Sequence, residues 1–291
     1  MTWFFYALLT AFLSSIASLF ERRALYRIHS IDFSAAIAFT TAILTLPILF
    51  TASWETITPK VLALTFVLSF VAALAFLSVT RGVRHMEISL SAPLFLLGPL
   101  ITTFFAFLIL NEHVTQLQVV GMVVLLLGAY ALETKHLLRG GEFVQNIWGN
   151  KYSRLILIGL LLYGLTSVGD RMILGMWGVP VALYTAIIQL FIALQFLLLT
   201  WLFRGSPMAS MRLVQKYWKS ILVLALLTIG YRMAQGYATA LASIGLVVAI
   251  KRSASLFTTI IGGEIFHDHD VWKKAFACVI MILGVTLIVL K

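Results

Sequence analysis

The sequence predicts an all-α integral membrane protein of ten transmembrane helices, built as two inverted five-helix repeats. Composition is the first reason. Of 291 residues, 61% are apolar and only 11% are Asp, Glu, Lys or Arg, with a mean hydropathy of +1.02. That is less than half of the roughly 25% charge share of soluble domains, too little to cover a water-facing surface. The second reason is that apolar runs long enough to cross a bilayer, about 20 residues each, recur ten times. The third is that the second half of the chain repeats the first.

The apolar runs, broken by charges, Gly and Pro, fall at 3–20, 33–50, 61–80, 88–110, 115–133, 154–175, 181–203, 220–238, 244–266 and 271–290. The N-terminal MTWFFYALLTAFLSSIASLF reads as a retained first helix, because it lacks a positive leading segment and a small-x-small cleavage site. Pro93 and Pro99 in the fourth run are expected to disturb helix regularity and free backbone carbonyls. Two connections are longer, 134–153 and 204–219, and both are basic. No connection is large enough to fold alone. The single cysteine, Cys278, lies in an apolar run and offers no disulfide within the chain.

Shifted by 156, ITTFFAFLILNE (101–112) faces FTTIIGGEIFHD (257–268). Thr102-Thr103 meet Thr258-Thr259, Glu112 meets Asp268, and Gly128 meets Gly284. Shifted by 149, SLFERRAL (18–25) faces SVGDRMIL (167–174), so Ser18, Glu21 and Arg22 meet Ser167, Asp170 and Arg171. The expected units are a first five-helix repeat at 1–133, a basic connection at 134–153 and a second repeat at 154–291. Five is odd, so the second copy enters the membrane in the opposite sense. Inverted repeats are frequent in secondary transporters, with the substrate site between the halves.

Charges inside such helices are costly, about 2.5–3.5 kcal/mol at the bilayer centre, and call for a cavity or a partner. Lys251 and Arg252 lie about 10 Å into the ninth run at 1.5 Å per residue. Two adjacent cations point about 100° apart, so both reaching back to the headgroups is hard. Both bordering one wide cavity is the better reading. Tyr231, Arg232 and Gln235 stand at i, i+1 and i+4 on one face of the eighth run, and Arg offers a planar fork of donors for carboxylate or phosphate. These five residues form the predicted substrate-binding set. Ser14, Ser18 and Glu21 form a stripe in the first run, and Tyr163, Ser167 and Asp170 repeat it in the sixth. The stripe fits a central path and equally a helix–helix seam. Ser14, Ser18, Tyr163, Ser167, Asp170, Gln189 and Glu264 are candidate cavity-lining or coupling residues. Gln195 is a weaker candidate, and Glu264 reads equally as a helix-end acid near water.

The segment SLSAPLFLLGPLITTFFAFLILNEHVTQLQVVGMVVLLLGAYAL (89–132) resembles the end of an EamA-type repeat of the drug/metabolite transporter superfamily. It has an apolar helix with Pro, an acid at its end, a short loop and a Gly-spaced helix. The resemblance covers essentially the whole chain. It implies a bacterial inner-membrane, multi-pass transporter of a small polar or anionic metabolite, working by alternating access without ATP hydrolysis. No phosphate-binding G-x-x-x-x-G-K-[ST] loop is present. IKRSASLFTTIIGGEIF also resembles the sugar-phosphate/phosphate translocators, in which an adjacent Lys-Arg pair binds the substrate's phosphate. That resemblance extends to Lys251 and Arg252 alone and implies an anionic group on the ligand. Its repeat counterparts in the first half are Phe95 and Leu96, so the pair is not part of the shared scaffold.

Other chemistry is less favoured. His267-Asp268-His269-Asp270 and Asn111-Glu112-His113 lie in short connections and read as solvated loops, not as metal sites. No cofactor is expected. A membrane enzyme holding a lipid phosphate at Lys251 and Arg252 needs a nearby base or nucleophile, and the sequence offers none. A structural or receptor role is disfavoured by the polar helix faces. The net charge of +10 points to lipid headgroups and not to nucleic acid. Partners are then the bilayer, a metabolite and, left open, a second copy in a homodimer.

Orientation divides two arguments. Arg22, Arg23, Arg27, Arg81, Arg84, Lys135, Arg139, Lys151, Arg154, Arg204, Arg212, Lys216, Lys219, Lys273 and Lys274 fall on one side, against Lys60, Arg171 and Lys291 on the other. The positive-inside rule makes the rich side cytoplasmic and puts both termini outside. The resemblance implies both termini inside. We follow the charge rule: a reporter at the C-terminus that works only outside the cytoplasm should be active, and one active only in the cytoplasm would refute this choice.

Overall fold

The structure is a computed structural model that describes residues 2–25, 29–86, 91, 94–133, 150–206, 208–257 and 271–290. Those residues are all-helical with no strand among them. In chain order the helices are α1 (Thr2–Leu25), α2 (Ser30–Thr51), α3 (Pro59–Arg84), α4 (Leu97–Leu110), α5 (Gln116–Glu133), α6 (Lys151–Arg171), α7 (Val181–Arg204), α8 (Met208–Lys216), α9 (Trp218–Leu241), α10 (Ile244–Lys251) and α11 (Val271–Val289). Six helical stretches are long and apolar enough to cross a bilayer: α1, α2, α3, α6 with the π-helical turn Met172–Met176 that extends it, α7 and α9. Apolar helices at Leu97–Leu110, Gln116–Leu132 and Phe276–Val289 are shorter.

Several departures from expectation have local causes. The fourth run breaks at Leu96 and resumes as α4 from Leu97, and Pro99 sits buried in the first turn of α4, where proline leaves no helical hydrogen bond unmade. The ninth run does not continue unbroken through Lys251. The connection expected at 204–219 contains the short helix α8, which packs on α2 with Ser210 Oγ 3.5 Å from Asp32 Oδ1. Its Met208 and Met211 are exposed beside Arg212 and Lys216, an amphipathic layout suited to the membrane interface. Pro93, Glu264 and 267–270 lie outside the described residues.

The outer surface carries apolar side chains. Phe50 is 85% exposed, and Phe5, Ile43, Trp201 and Phe203 are exposed as well. Hydrocarbon solvates such side chains where water would not. The interior instead holds small and hydroxylated residues. Thr41, Thr45, Thr65 and Thr80 are buried, and each hydroxyl donates to a carbonyl of the preceding turn at 2.7–2.9 Å. Backbone bonding of this kind satisfies a hydroxyl without a water molecule.

The packing runs between the halves. α5 lies on α11, α2 on α7 and α4 on α10, and α1 packs on α9 as α3 packs on α6. Likewise α4 touches α6 as α10 touches α1, and α3 touches α7 as α9 touches α2. Exchanging α1–α5 with α6, α7, α9, α10 and α11 leaves these pairings unchanged. α5 and α11 approach closely at glycines. A Cβ on Gly121 would lie 2.8 Å from the Ile288 nitrogen, and one on Gly128 2.9 Å from the Met281 nitrogen. Small residues of this sort let membrane helices meet backbone to backbone.

Candidate functional site

Regular α-helix is interrupted in the fourth and ninth runs at the same repeat position. At the end of α10, Arg252 has φ −68° and ψ −17°, and Leu96, 156 residues earlier, has φ −68° and ψ −18°. After α10 the bonding tightens to the three-residue kind: Arg252 N–H to Ala249 O at 2.9 Å, Ser253 to Ile250 at 2.9 Å, Ser255 to Arg252 at 3.2 Å. A turn of 3₁₀ geometry inside a long apolar run is a common place for function or a hinge. Here it carries the two cations. The two turns also face one another: the Arg252 guanidinium lies over the Phe95 ring, 5.6 Å from its centroid. Gly98 admits this approach, since a Cβ there would sit 3.0 Å from Arg252 Nη2.

Lys251 turns inward. Its Nζ donates to Gln235 Oε1 at 2.8 Å and stands 5.1 Å above the Tyr231 ring. Cation–π attraction and a charge-assisted hydrogen bond therefore hold the ammonium away from the headgroups. Arg232, on the same face of α9, interacts electrostatically with Tyr163 and Asp170 of α6 and with Tyr184 of α7. Asp170 in turn feels Arg232 and Lys251 and accepts a short hydrogen bond from the Tyr184 hydroxyl. Glu21 of α1 acts on Tyr163 and Tyr231. Lys251, Arg252, Tyr231, Arg232, Gln235, Tyr163 and Asp170 are all half-buried. Arg232 Nε is buried and has no hydrogen-bond partner among the described residues. Five helices thus deliver one polar cluster in which cations outnumber carboxylates.

Other candidates have different places. Ser14 and Ser18 donate to carbonyls of their own helix, Ala11 O at 3.1 Å and Ser15 O at 2.8 Å, so their hydroxyls are committed to backbone. Ser167 is half-buried on α6, one turn before Arg171. Gln189 is buried in α7. Gln195 is an interhelical tie, its Nε2 donating to Ser69 Oγ of α3 at 2.8 Å.

Sequence reasoning missed Glu112. It is not a solvated loop residue. Asn111 adopts a left-handed conformation (φ 53°) at the end of α4 and swings the chain back. Glu112 Oε1 then accepts from Arg171 Nε at 2.6 Å, and its Oε2 from the Ile244 N–H at the start of α10 at 3.2 Å. Arg171 Nη1 donates to Thr239 O at 2.7 Å and Ala240 O at 3.1 Å, at the end of α9. The signal was present in the repeat, where both residues have charged counterparts of the same sign. Tyr184 was missed too, and nothing in the apolar sequence around it marks it.

These features define the class: a multi-pass, all-helical membrane protein. The profile of the EamA-like transporter family matches residues 1–134, and this bears out the resemblance carried by 89–132. No curated protein matches the sequence. Among 29 matching chains of known structure is one described only as the crystal structure of a protein. It aligns with a TM-score of 0.73 over 98% of this chain and 94% of its own, at 14% identity, and that likeness shows the fold alone.

The Glu112–Arg171 network gives a prediction with a directional control. Glu112→Ala leaves a half-buried cation short of its acceptor and costs about 1.5–3 kcal/mol, read as a lower Tm of the detergent-solubilised protein. The swap Glu112→Arg with Arg171→Glu stays equally unstable, because Glu at 171 cannot donate to the Thr239 and Ala240 carbonyls. A swap that restores the wild-type Tm would show those carbonyl contacts to be unimportant.

Proposed function

We propose that this protein is a gradient-driven secondary transporter of a small anionic metabolite, with its site between two inverted five-helix repeats. The repeats run 1–133 and 154–291, joined by the basic segment 134–153. Two observations support that architecture. The pattern of helix pairing survives exchange of the halves, and Leu96 and Arg252 share one backbone geometry at equivalent positions. The membrane is the bacterial inner membrane, as the bacterial EamA resemblance implies.

The observation that carries the ligand assignment is the meeting of Lys251, Arg252 and Arg232 inside the helical body. Lys251 is held by Gln235 and Tyr231 and Arg252 by the Phe95 face, while Arg232 lies in the electrostatic field of phenols and Asp170. Each keeps donor capacity for an incoming oxyanion: an ammonium has three donors and a guanidinium five. The tyrosine rings offer flat apolar walls beside those donors. Such a set suits a carboxylate or phosphate group on a small organic body. These three cations all belong to the second half, while Phe95 and Leu96 supply an apolar wall from the first. Rocking of the halves about this site alternates its exposure, and the 3₁₀-type turn at 252 and the helix interruption at 96 are natural places for that motion.

Replacing Lys251 and Arg252 together by Leu removes two of the three cations. Uptake of anionic substrates into proteoliposomes should fall at least about tenfold, the equivalent of 1.4 kcal/mol, with the protein still monodisperse. Unchanged uptake across anionic candidates would sink the assignment, and lipid-modifying activity in the purified protein would favour an enzyme.

A further inference from the structure

Asp170 is a carboxylate within a cluster that reads as binding anions. The Asp170 carboxylate accepts from the Tyr184 hydroxyl and lies within electrostatic range of cations that an anionic ligand would use. It interacts with both Arg232 and Lys251, so ligand and Asp170 compete for the same positive charge. We propose that Asp170 is a proton site coupled to the ligand: ionised as the internal counter-ion of Arg232 and Lys251 in the empty protein, protonated when an anion takes those cations. The inference rests on the anion-binding reading above.

The chemistry follows from charge. An oxyanion docked on Lys251 and Arg232 brings a second negative charge beside Asp170 and takes its partners. A like charge nearby and the loss of an opposite one both favour the neutral acid. The step forms one O–H bond on the Asp170 carboxylate and breaks one O–H bond of a solvent hydronium ion, which is left as water. Tyr184 can serve both states. Its hydroxyl donates to the carboxylate now, and it can accept from the protonated acid, since a phenol does either. A monoanion and one proton then cross together without net charge.

Charged and titratable groups reach α6 from several of the elements packed on it. On α6 itself are Tyr163 and the neighbouring Arg171, which is committed to Glu112. α7 brings Tyr184, α9 brings Tyr231 and Arg232, and α10 brings Lys251, with Arg252 just beyond it. α3 keeps its titratable groups at its ends: Lys60 over the Trp177 ring, Arg81 and Arg84 in the last turn, and His85 stacked on Tyr152. α4 has no titratable side chain between Leu97 and Leu110. Glu21 of α1 acts on Tyr163 and Tyr231. Lys251 is the one rival, since an ammonium that lost its proton in the empty protein could also regain it when an anion binds.

The experiment uses the full chain in nanodiscs, with sulfate and succinate as probes, because neither buffers near neutral pH. Binding is read by thermal shift across pH, and proton uptake by a pH dye in weakly buffered solution. Wild type should take up protons as either probe binds, and its affinity should fall about tenfold per pH unit on the alkaline side. Asp170→Asn, fixed in a neutral form, should bind without proton uptake and without that fall. Tyr184→Phe keeps the carboxyl but removes a donor to its ionised form, so its fall should begin at higher pH. Uptake that persists in Asp170→Asn assigns the proton to Lys251 and overturns the proposal. So does loss of anion binding in folded Asp170→Asn, or an unshifted profile in Tyr184→Phe. If neither probe stabilises wild type at any pH, the anion-binding reading falls and this inference with it. If wild type binds but takes up no proton, this inference alone falls.

Discussion

Glu112 and Arg171 meet 2.6 Å apart where four helices come together, and each uses its spare hydrogen-bonding capacity on backbone. Glu112 takes the Ile244 N–H that begins α10, and Arg171 covers carbonyls that end α9. Helix ends leave such groups unsatisfied, and in a bilayer each costs several kcal/mol. One ion pair therefore ties together the end of α4, the junction of α6 with its π-helical turn, the end of α9 and the start of α10. That fixes where α10 starts, and the start of α10 fixes the depth of Lys251 seven residues on. Asp170 is the residue before Arg171, so the same anchor sets its position as well. The clamp and the polar cluster beneath it form one construction, in which a structural pair holds the elements that carry the functional charges.

The cluster handles charge differently from the clamp. Glu112 and Arg171 have opposite charges in close contact. Lys251 and Arg232 have the carboxylates of Asp170 and Glu21 in their neighbourhood, and the three cations also lean on neutral groups: an amide, phenols and the face of Phe95. Neutral partners stabilise a cation less than a counter-ion does. An oxyanion would complete what they leave incomplete, and the unbonded Arg232 Nε has that same need.

Much of this was legible because lipid restricts the choices. Two adjacent cations about 10 Å deep cannot both escape to the surface, so Lys251 and Arg252 had to find partners. Tyr231 and Gln235 were on the right face of the next helix by period alone. The repeat marked Asp170 through its match with Glu21. Three things were hidden. Glu112 sits in a loop, and only the left-handed turn at Asn111 brings it inward. The helix interruption at 252 has neither proline nor glycine at that position to announce it, unlike the fourth run with Pro99. The serine stripe looked like a path, but short hydroxyls in a helix can bond the preceding turn, as Ser14 and Ser18 do.

The central claim is that the cluster around Lys251 borders a water-accessible path that a ligand enters. Site-directed thiol labelling tests it most directly. In a Cys278→Ser background, cysteines are placed singly at Phe95 and Gln235, and at Phe107 as a lipid-facing control. A charged, membrane-impermeant thiol reagent should modify positions 95 and 235 from one side of sealed vesicles, slow down when a binding anion is added, and leave 107 untouched. Positions 95 and 235 as inert as 107 from both sides would contradict the account.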